Sequence, residues 1–253
     1  MTDRPILRVG YLYPDLMNLY ADRGNLTCIE RRCAWREIEV RTTRIEWEER
    51  IAGSFDLYLI GGGQDRQQQL ASEGITRHNA DAIRSDLADG AAMLAVCGGY
   101  QLMAKEYRAA DGVKLAGLGV FDAVTVHPGA HIPRCIGNVA ARWGDDWLVG
   151  FENHGGRTYL AAGVDPLARV VRGFGNNAED GSEGAIAGHA FGTYLHGAVL
   201  PKNPHLADHL IMLALRRVAP ELTLSPLDDT QEWAAHRSAL EAAGITAGRA
   251  GDM

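Results

Sequence analysis

Residues 95–102 read AVCGGYQL, and the cysteine near their centre separates an apolar run from two glycines. The run AAMLAV before Cys97 predicts a buried strand, and YQLMAKEY after the glycines predicts a helix. Gly98 and Gly99 tolerate a tight backbone between the two, which is the geometry of a nucleophile elbow. The N-terminus of the helix favours a thiolate and offers the Gly98 N–H to a developing oxyanion. The segment therefore predicts a reactive cysteine at the edge of a sheet where α/β proteins bind ligands.

The chain on either side of this corner alternates strand-like and helix-like patterns. FDLYLIGGG at 55–63 predicts a second buried strand that ends in glycines, and residues 75–89 have the pattern of an amphipathic helix. Further candidates are RVGYLY at 8–13 and IEVRTTRI at 38–45 as strands, and LTCIERRCAWRE at 26–37 as a helix. This alternation predicts an α/β fold with a mostly parallel sheet and helices on both faces.

We expect residues 1–253 to form a single domain with a core at about 8–216. Residues 113–195 contain many short strand candidates, and Asn203 and Pro204 mark the start of a clear helix. A last helix is predicted at about 229–243, ended by Gly244, with a disordered tail at 245–253.

Composition argues against several classes of partner. Lys and Arg number 25 against 32 Asp and Glu, and a net charge of −7 does not favour nucleic acid or an anionic membrane. The N-terminus lacks a secretory apolar segment, and the uncharged stretch at 90–104 is shorter than the roughly 20 residues of a membrane span. Four cysteines without metal-ligand spacing predict neither a disulfide framework nor a metal site. We therefore expect a cytoplasmic protein without direct membrane insertion.

A cysteine nucleophile needs a base that accepts its proton and later protonates the leaving amine. Among nine histidines, His196 in FGTYLHG is preferred, because it follows a strand-like segment immediately, as Cys97 does. The glycine triplet at 61–63 ends a neighbouring strand and could bring a second backbone N–H to the same site.

Five blocks of sequence together resemble the cobyric-acid-synthase-like branch of the class I glutamine amidotransferases. The blocks are YLYPDLMNLYADRGN at 11–25, GGGQDRQQ at 61–68, AVCGGYQL at 95–102, FENHGGRTYL at 151–160 and GTYLHGAVLPKNP at 192–204. The resemblance implies a flavodoxin-like fold and hydrolysis of L-glutamine to glutamate and ammonia through a Cys–His thioester mechanism. More narrowly, the blocks are similar to subunits that form a heterodimer with the Mur-ligase-like protein MurT. Such a partner would hold ATP and Mg²⁺ and would amidate D-glutamate in the lipid II stem peptide, while this chain would need no cofactor.

The same resemblance assigns roles to particular residues. It makes Cys97 the nucleophile and His196 the general base and acid. The implied oxyanion donors are Gly62 or Gly63 together with Gly98. The implied substrate-binding residues are Gln101 and Arg134, whose planar guanidinium suits a carboxylate.

One feature of the wider superfamily is missing. Many class I members carry a glutamate two positions after the catalytic histidine, whereas here Gly197 and Ala198 follow His196. Either a Cys–His dyad suffices, or another acid such as Glu152 orients the ring, or the partner subunit supplies the acid. The third alternative would keep the isolated chain a poor glutaminase.

Two other functions compete with this interpretation. One is a cobyrinate-type amidotransferase of cofactor biosynthesis, although the sequence contains no P-loop of an ATP-using synthetase. The other is a non-catalytic glutamine-binding regulator, against which the presence of both Cys97 and His196 argues.

Overall fold

The fold is taken from a computed structural model, which describes residues 5–19 and 22–246. The described residues form fourteen strands and six α-helices. The strands are β1 (Ile6–Leu12), β2 (Glu39–Ile45), β3 (Leu57–Ile60), β4 (Ala92–Val96), β5 (Glu106–Arg108), β6 (Lys114–Ala116), β7 (Ala123–Val126), β8 (Cys135–Trp143), β9 (Asp146–His154), β10 (Arg157–Leu160), β11 (Ala168–Arg172), β12 (Ser182–Glu183), β13 (Ala185–Ala187) and β14 (Ala190–Thr193). The helices are α1 (Arg23–Ala34), α2 (Asp65–Gly74), α3 (Ala80–Ala88), α4 (Gly98–Met103), α5 (Pro204–Arg216) and α6 (Thr230–Ala242).

A six-stranded sheet organises the molecule, in the order β2-β1-β3-β4-β14-β13. All neighbours in it are parallel except β13, which pairs antiparallel with β14 at the edge. With β14 as the fifth parallel strand, this is the 2-1-3-4-5 order of flavodoxin-like sheets. The predicted fold class is therefore confirmed.

The apolar strands lie at the centre of this sheet. Every residue of β3 and β4 is buried, as expected for parallel strands that are covered on both faces. Arg32 of α1 is itself buried and pairs with Asp208 of α5 and with Asp229 at the start of α6, each at 2.6 Å. Two carboxylates surround this buried guanidinium, so burial leaves its charge paired.

Residues 113–195 depart from a purely parallel arrangement. Their strands, together with β5, build two further four-stranded sheets besides the β13–β14 edge. One sheet has the order β10-β7-β5-β6, and the other, β12-β11-β8-β9, is antiparallel. Short connections allow antiparallel pairing here, because no crossover helix is needed. The prediction of a mostly parallel sheet thus holds for the central sheet alone.

The helix boundaries agree in part with the sequence prediction. The helix expected at 75–89 begins earlier, with α2 at Asp65, and passes through a π-helical turn at Ile75–Asn79 into α3. Helix α5 begins at Pro204 as predicted, but the Asn203 side chain bonds Val149 and Val199 instead of capping the helix. Gly244 has φ +79°, as expected after α6. Of the tail predicted to be disordered, residues 247–253 lie outside the described residues.

In the described part of the chain, no helix combines the length and the apolar character needed to cross a bilayer.

Candidate active site

Cys97 lies between β4 and α4, at the corner that the sequence predicts. Its backbone has φ +50° and ψ −106°, a conformation that costs free energy in any residue with a side chain. Two hydrogen bonds hold it there, from Cys97 N to Thr193 O at 2.8 Å and from Gln101 N to Cys97 O at 3.0 Å. The surrounding structure therefore stabilises a strained elbow that presents the thiol to a cleft.

The glycines after Cys97 are required by close contacts. A Cβ on Gly98 would stand 2.4 Å from Gln68 Nε2 and 2.9 Å from Gly63 N, and a Cβ on Gly99 would stand 2.8 Å from Gly61 O. The glycine loop after β3 is thus pressed against the start of α4. This brings the Gly63 amide nitrogen next to Gly98, which directly follows Cys97.

His196 follows β14 and is completely buried. Its backbone pairs with Phe151 of β9, with His196 N donating to Phe151 O at 2.7 Å. The preceding turn is held by Glu183, whose Oε1 accepts hydrogen bonds from Thr193 Oγ1 at 2.6 Å and Tyr194 N at 2.9 Å. The histidine is therefore positioned by two sheets at once.

Asp22 supplies a carboxylate that the sequence analysis missed. It precedes α1, is 3% exposed, and places Oδ1 3.6 Å from His196 Nδ1. Its other oxygen accepts a hydrogen bond from Gly62 N at 2.7 Å. The signal in the sequence was weak, since an aspartate directly before a helix is most simply explained as an N-cap.

Cys97, His196 and Asp22 converge around Gly62. A Cβ on Gly62 would lie 3.1 Å from His196 Cε1, 3.3 Å from Asp22 Oδ2 and 3.4 Å from Cys97 Cβ. Because Gly62 donates its N–H to Asp22, it holds that carboxylate in place and has no N–H left for an oxyanion. Of the two glycines expected as alternative oxyanion donors, the geometry therefore favours Gly63.

The electrostatics of the cluster favour a protonated histidine. Burial works against the imidazolium, but the negative charge of Cys97 and the interactions with Asp22 outweigh it and raise the pKa of His196 to about 10. A buried histidine that interacts with both a cysteine and a carboxylate is the arrangement in which a cysteine becomes nucleophilic near neutral pH.

Glu152 does not orient His196. Its Oε1 accepts a hydrogen bond from Phe174 N at 2.7 Å and its Oε2 accepts one from Gly175 N at 2.9 Å. The nearby histidine is His154, whose Nε2 lies 3.7 Å from Glu152 Oε2. The suggestion that Glu152 orients the catalytic ring is therefore wrong, because this carboxylate is engaged on another loop.

The cleft beside Cys97 has a volume of about 720 Å³ and includes both residues predicted to bind substrate. Arg134 is fixed on its wall by hydrogen bonds from Nε to Asn153 Oδ1 and from Nη2 to Asn153 O, both at 2.9 Å. Gln101 accepts a hydrogen bond from Gln68 Nε2 at 2.7 Å and donates one to Tyr194 Oη at 3.1 Å. Arg134 can face a ligand, whereas the Gln101 amide braces the wall.

The other three cysteines differ from Cys97 in their surroundings. Burial raises the pKa of Cys28 and Cys33 to about 12 and that of Cys135 to about 11, which keeps them as thiols. Within residues 5–19 and 22–246, no three or more His, Cys, Asp or Glu side chains converge in a way that could hold a metal ion.

Comparisons with known proteins bear on the family and the fold of the chain. The family model of the CobB/CobQ-like glutamine amidotransferase domain matches residues 8–204. The chain is 37% identical over 227 residues to the Staphylococcus aureus protein named lipid II isoglutaminyl synthase (glutamine-hydrolyzing) subunit GatD, covering 89% of this chain and 91% of that relative. The Streptococcus pneumoniae protein of the same name is 33% identical over 217 residues, covering 83% and 81%.

A solved structure described as a glutamine amidotransferase superimposes with a TM-score of 0.56 and covers 81% of this chain and 98% of its own. At 19% sequence identity, this likeness concerns the fold alone.

Proposed function

This chain belongs to the CobB/CobQ-like glutamine amidotransferase family, and from that premise we propose that it is the glutaminase subunit of a lipid II isoglutaminyl synthase. The chain is a glutamine amidotransferase. Two relatives that align over most of both chains carry the name of that synthase subunit. The observation that carries the mechanism is the convergence of Cys97, His196 and Asp22 on Gly62 beside an open cleft.

In the first half of the reaction, Cys97 Sγ attacks the side-chain amide carbon of L-glutamine. The Gly63 and Gly98 N–H groups stabilise the oxyanion that forms on the amide oxygen. Protonated His196 then gives its proton to the amide nitrogen, the C–N bond breaks, and ammonia leaves behind a glutamyl thioester.

In the second half, His196 accepts a proton from water as that water attacks the thioester carbon. The C–S bond breaks, glutamate leaves, and the Cys97–His196 pair is restored. Asp22 acts through His196, because its carboxylate holds the Nδ1 side of the ring and stabilises the imidazolium. The required acid is therefore proposed to come from this chain, so the partner need not supply it.

The ammonia passes to a Mur-ligase-like partner, MurT, in a heterodimer. That subunit would bind ATP and Mg²⁺ and would amidate the α-carboxylate of D-glutamate in the lipid II stem peptide, in the cytoplasm where ATP is available. This chain contributes L-glutamine binding, through Arg134 at the substrate carboxylate and Gln101 in the wall, and needs no cofactor of its own.

Ammonia release from L-glutamine tests the proposal, measured for the chain alone and with a Mur-ligase-like partner, ATP and lipid II. We expect release in both cases, and amide formation on lipid II in the complete mixture. A glutamine-binding regulator would bind L-glutamine without releasing ammonia. A cobyrinate-type component would release ammonia but deliver it to a corrinoid acid and leave lipid II unmodified.

A further inference from the structure

The cleft beside Cys97 carries charges of both signs. Its described lining includes two guanidinium groups, Arg66 and Arg134. Among the described residues that line it, Asp65 carries the only carboxylate. A free α-amino acid brings one carboxylate and one ammonium, so a site that selects it needs a partner of each sign. Arginine can serve the substrate carboxylate, and the substrate ammonium then requires Asp65 or neutral acceptors.

Asp65 lines the same cleft as Cys97. It is the first residue of α2, two positions after Gly63, and its side chain is exposed. Tyr107 also lines the cleft, and its pKa responds to the charges of Asp65 and of two other groups of the site. Burial is the main cause that raises the pKa of Tyr107, the negative charges of Asp65 and Cys97 raise it further, and Arg134 lowers it. All three groups therefore lie within electrostatic reach of one side chain in the cleft wall.

We propose that Asp65 recognises the α-ammonium group of the substrate and makes the site selective for an amino acid over a simple amide. Arg134 fixes the carboxylate, and together the two charges orient the side-chain amide toward Cys97. This inference rests on the proposed function and adds the residue that distinguishes glutamine from an amide lacking the amino group. A charge-assisted hydrogen bond of this kind is worth about tenfold or more in affinity.

A second explanation of Asp65 has to be separated from this one. An acidic residue in the first turn of a helix is stabilised by the helix dipole, whatever lies in front of it. Asp81 provides a control for the loss of one negative charge, because it is an exposed acid on α3 and lies outside the described lining of the cleft. Asp65→Asn and Asp81→Asn each remove one negative charge from the helical segment that runs from α2 through the π-helical turn into α3, and of the two aspartates Asp65 is the one that lines the cleft.

The experiment compares two ligands on the full chain carrying Cys97→Ala, so that no hydrolysis occurs. Isothermal titration calorimetry gives dissociation constants for L-glutamine and for glutaramic acid, which is glutamine without its amino group. We expect L-glutamine to bind about tenfold or more tightly. Asp65→Asn should abolish this preference by weakening L-glutamine alone, and Asp81→Asn should keep it. Arg134→Gln should weaken both ligands and leave the preference.

Each contrary outcome has a separate meaning. If Asp65→Asn retains the full preference for L-glutamine, the inference is wrong and the proposed function stands. If L-glutamine does not bind to the Cys97→Ala chain at all, the proposed function fails and this inference fails with it. Circular dichroism of both Asn variants verifies folding, which should be unchanged because both aspartates are exposed.

Discussion

Two regions of the molecule each bring a cysteine, a histidine and a carboxylate together. The elbow group is Cys97, His196 and Asp22, and the hairpin group, on β8 and β9, is Cys135, His154 and Glu152. The separation between histidine nitrogen and carboxylate oxygen is nearly the same, 3.6 Å in the elbow group and 3.7 Å in the hairpin group. Each carboxylate also accepts backbone N–H hydrogen bonds, one at Asp22 and two at Glu152. Residue types and distances alone therefore do not distinguish a reactive site from a structural one.

The difference lies in where each cysteine stands. Cys97 occupies a strained corner that opens on the cleft, whereas Cys135 lies within a regular strand, opposite His154 in the ladder. Burial lowers the pKa of His154, and Glu152 offsets this only in part, while the pKa of His196 rises to about 10. The comparison teaches that a carboxylate alone does not keep a buried histidine charged, whereas the interactions with Cys97 and Asp22 together favour the charged form of His196.

The largest expected effect is on turnover. Cys97→Ala should lower glutamine hydrolysis by at least about 10⁴-fold, because no other group can form the thioester. Cys135→Ala should leave turnover near that of the unaltered chain. Ammonia release measured at saturating L-glutamine checks both variants. Comparable losses in the two would mean that the groups are not functionally distinct.

A smaller difference is expected in thiol reactivity. A glutamine-analogue electrophile should alkylate Cys97 about 100-fold faster than Cys28, Cys33 or Cys135 at pH 7.5, because the raised pKa values of those three keep them protonated. Mass spectrometry of tryptic peptides over a time course measures the rates. Equal labelling of the four thiols would contradict a special activation of Cys97.

The smallest effect concerns stability, where the two histidines should respond to pH in opposite directions. The pKa of His154 is lowered by burial, so the unfolded chain, with a value near 6.5, binds the proton more tightly. The free energy of unfolding should therefore fall as pH drops below about 6.5. The pKa of His196 is raised to about 10, so its contribution is complete below about 6.5 and is lost as pH rises to about 10.

Urea denaturation between pH 5 and pH 10 measures these slopes. One histidine contributes at most about 1.4 kcal/mol per pH unit. His154→Gln should reduce the fall in the free energy of unfolding below about pH 6.5. His196→Gln should reduce the fall between about pH 6.5 and pH 10. If His154→Gln leaves the pH dependence of the free energy of unfolding below about pH 6.5 unchanged, the pKa of His154 is not lowered as predicted.

What the sequence predicted well was local. The buried strands before Cys97 and after Phe55, and the glycines that end them, are continuous stretches whose pattern determines their structure. The elbow at Cys97 follows from such stretches. Residues 113–195 were harder, because short strands can pair in several sheets and their partners are set by tertiary contacts.

What the sequence did not predict was a contact between distant parts of the chain. Asp22 reaches His196 because α1 starts at the edge where β3, β4 and β14 end. No residue spacing in the sequence indicates that Asp22 contacts His196. Because no glutamate follows His196 closely, the sequence suggested Glu152 as the acid within this chain. The sequence does not distinguish Gly62 from Gly63 as an oxyanion donor. In the structure, the hydrogen bond from Gly62 N to Asp22 distinguishes them.

The central claim is that Asp22 completes the Cys97–His196 pair from within this chain. Its most direct test is the glutaminase kcat of Asp22→Asn against that of Glu152→Gln. The asparagine can still accept the Gly62 N–H, so the loop should stay in place while the charge beside His196 is lost. We predict a fall of about 10²- to 10⁴-fold in kcat for Asp22→Asn, with little change in KM, and a kcat near that of the unaltered chain for Glu152→Gln. An undiminished kcat in Asp22→Asn would contradict the account.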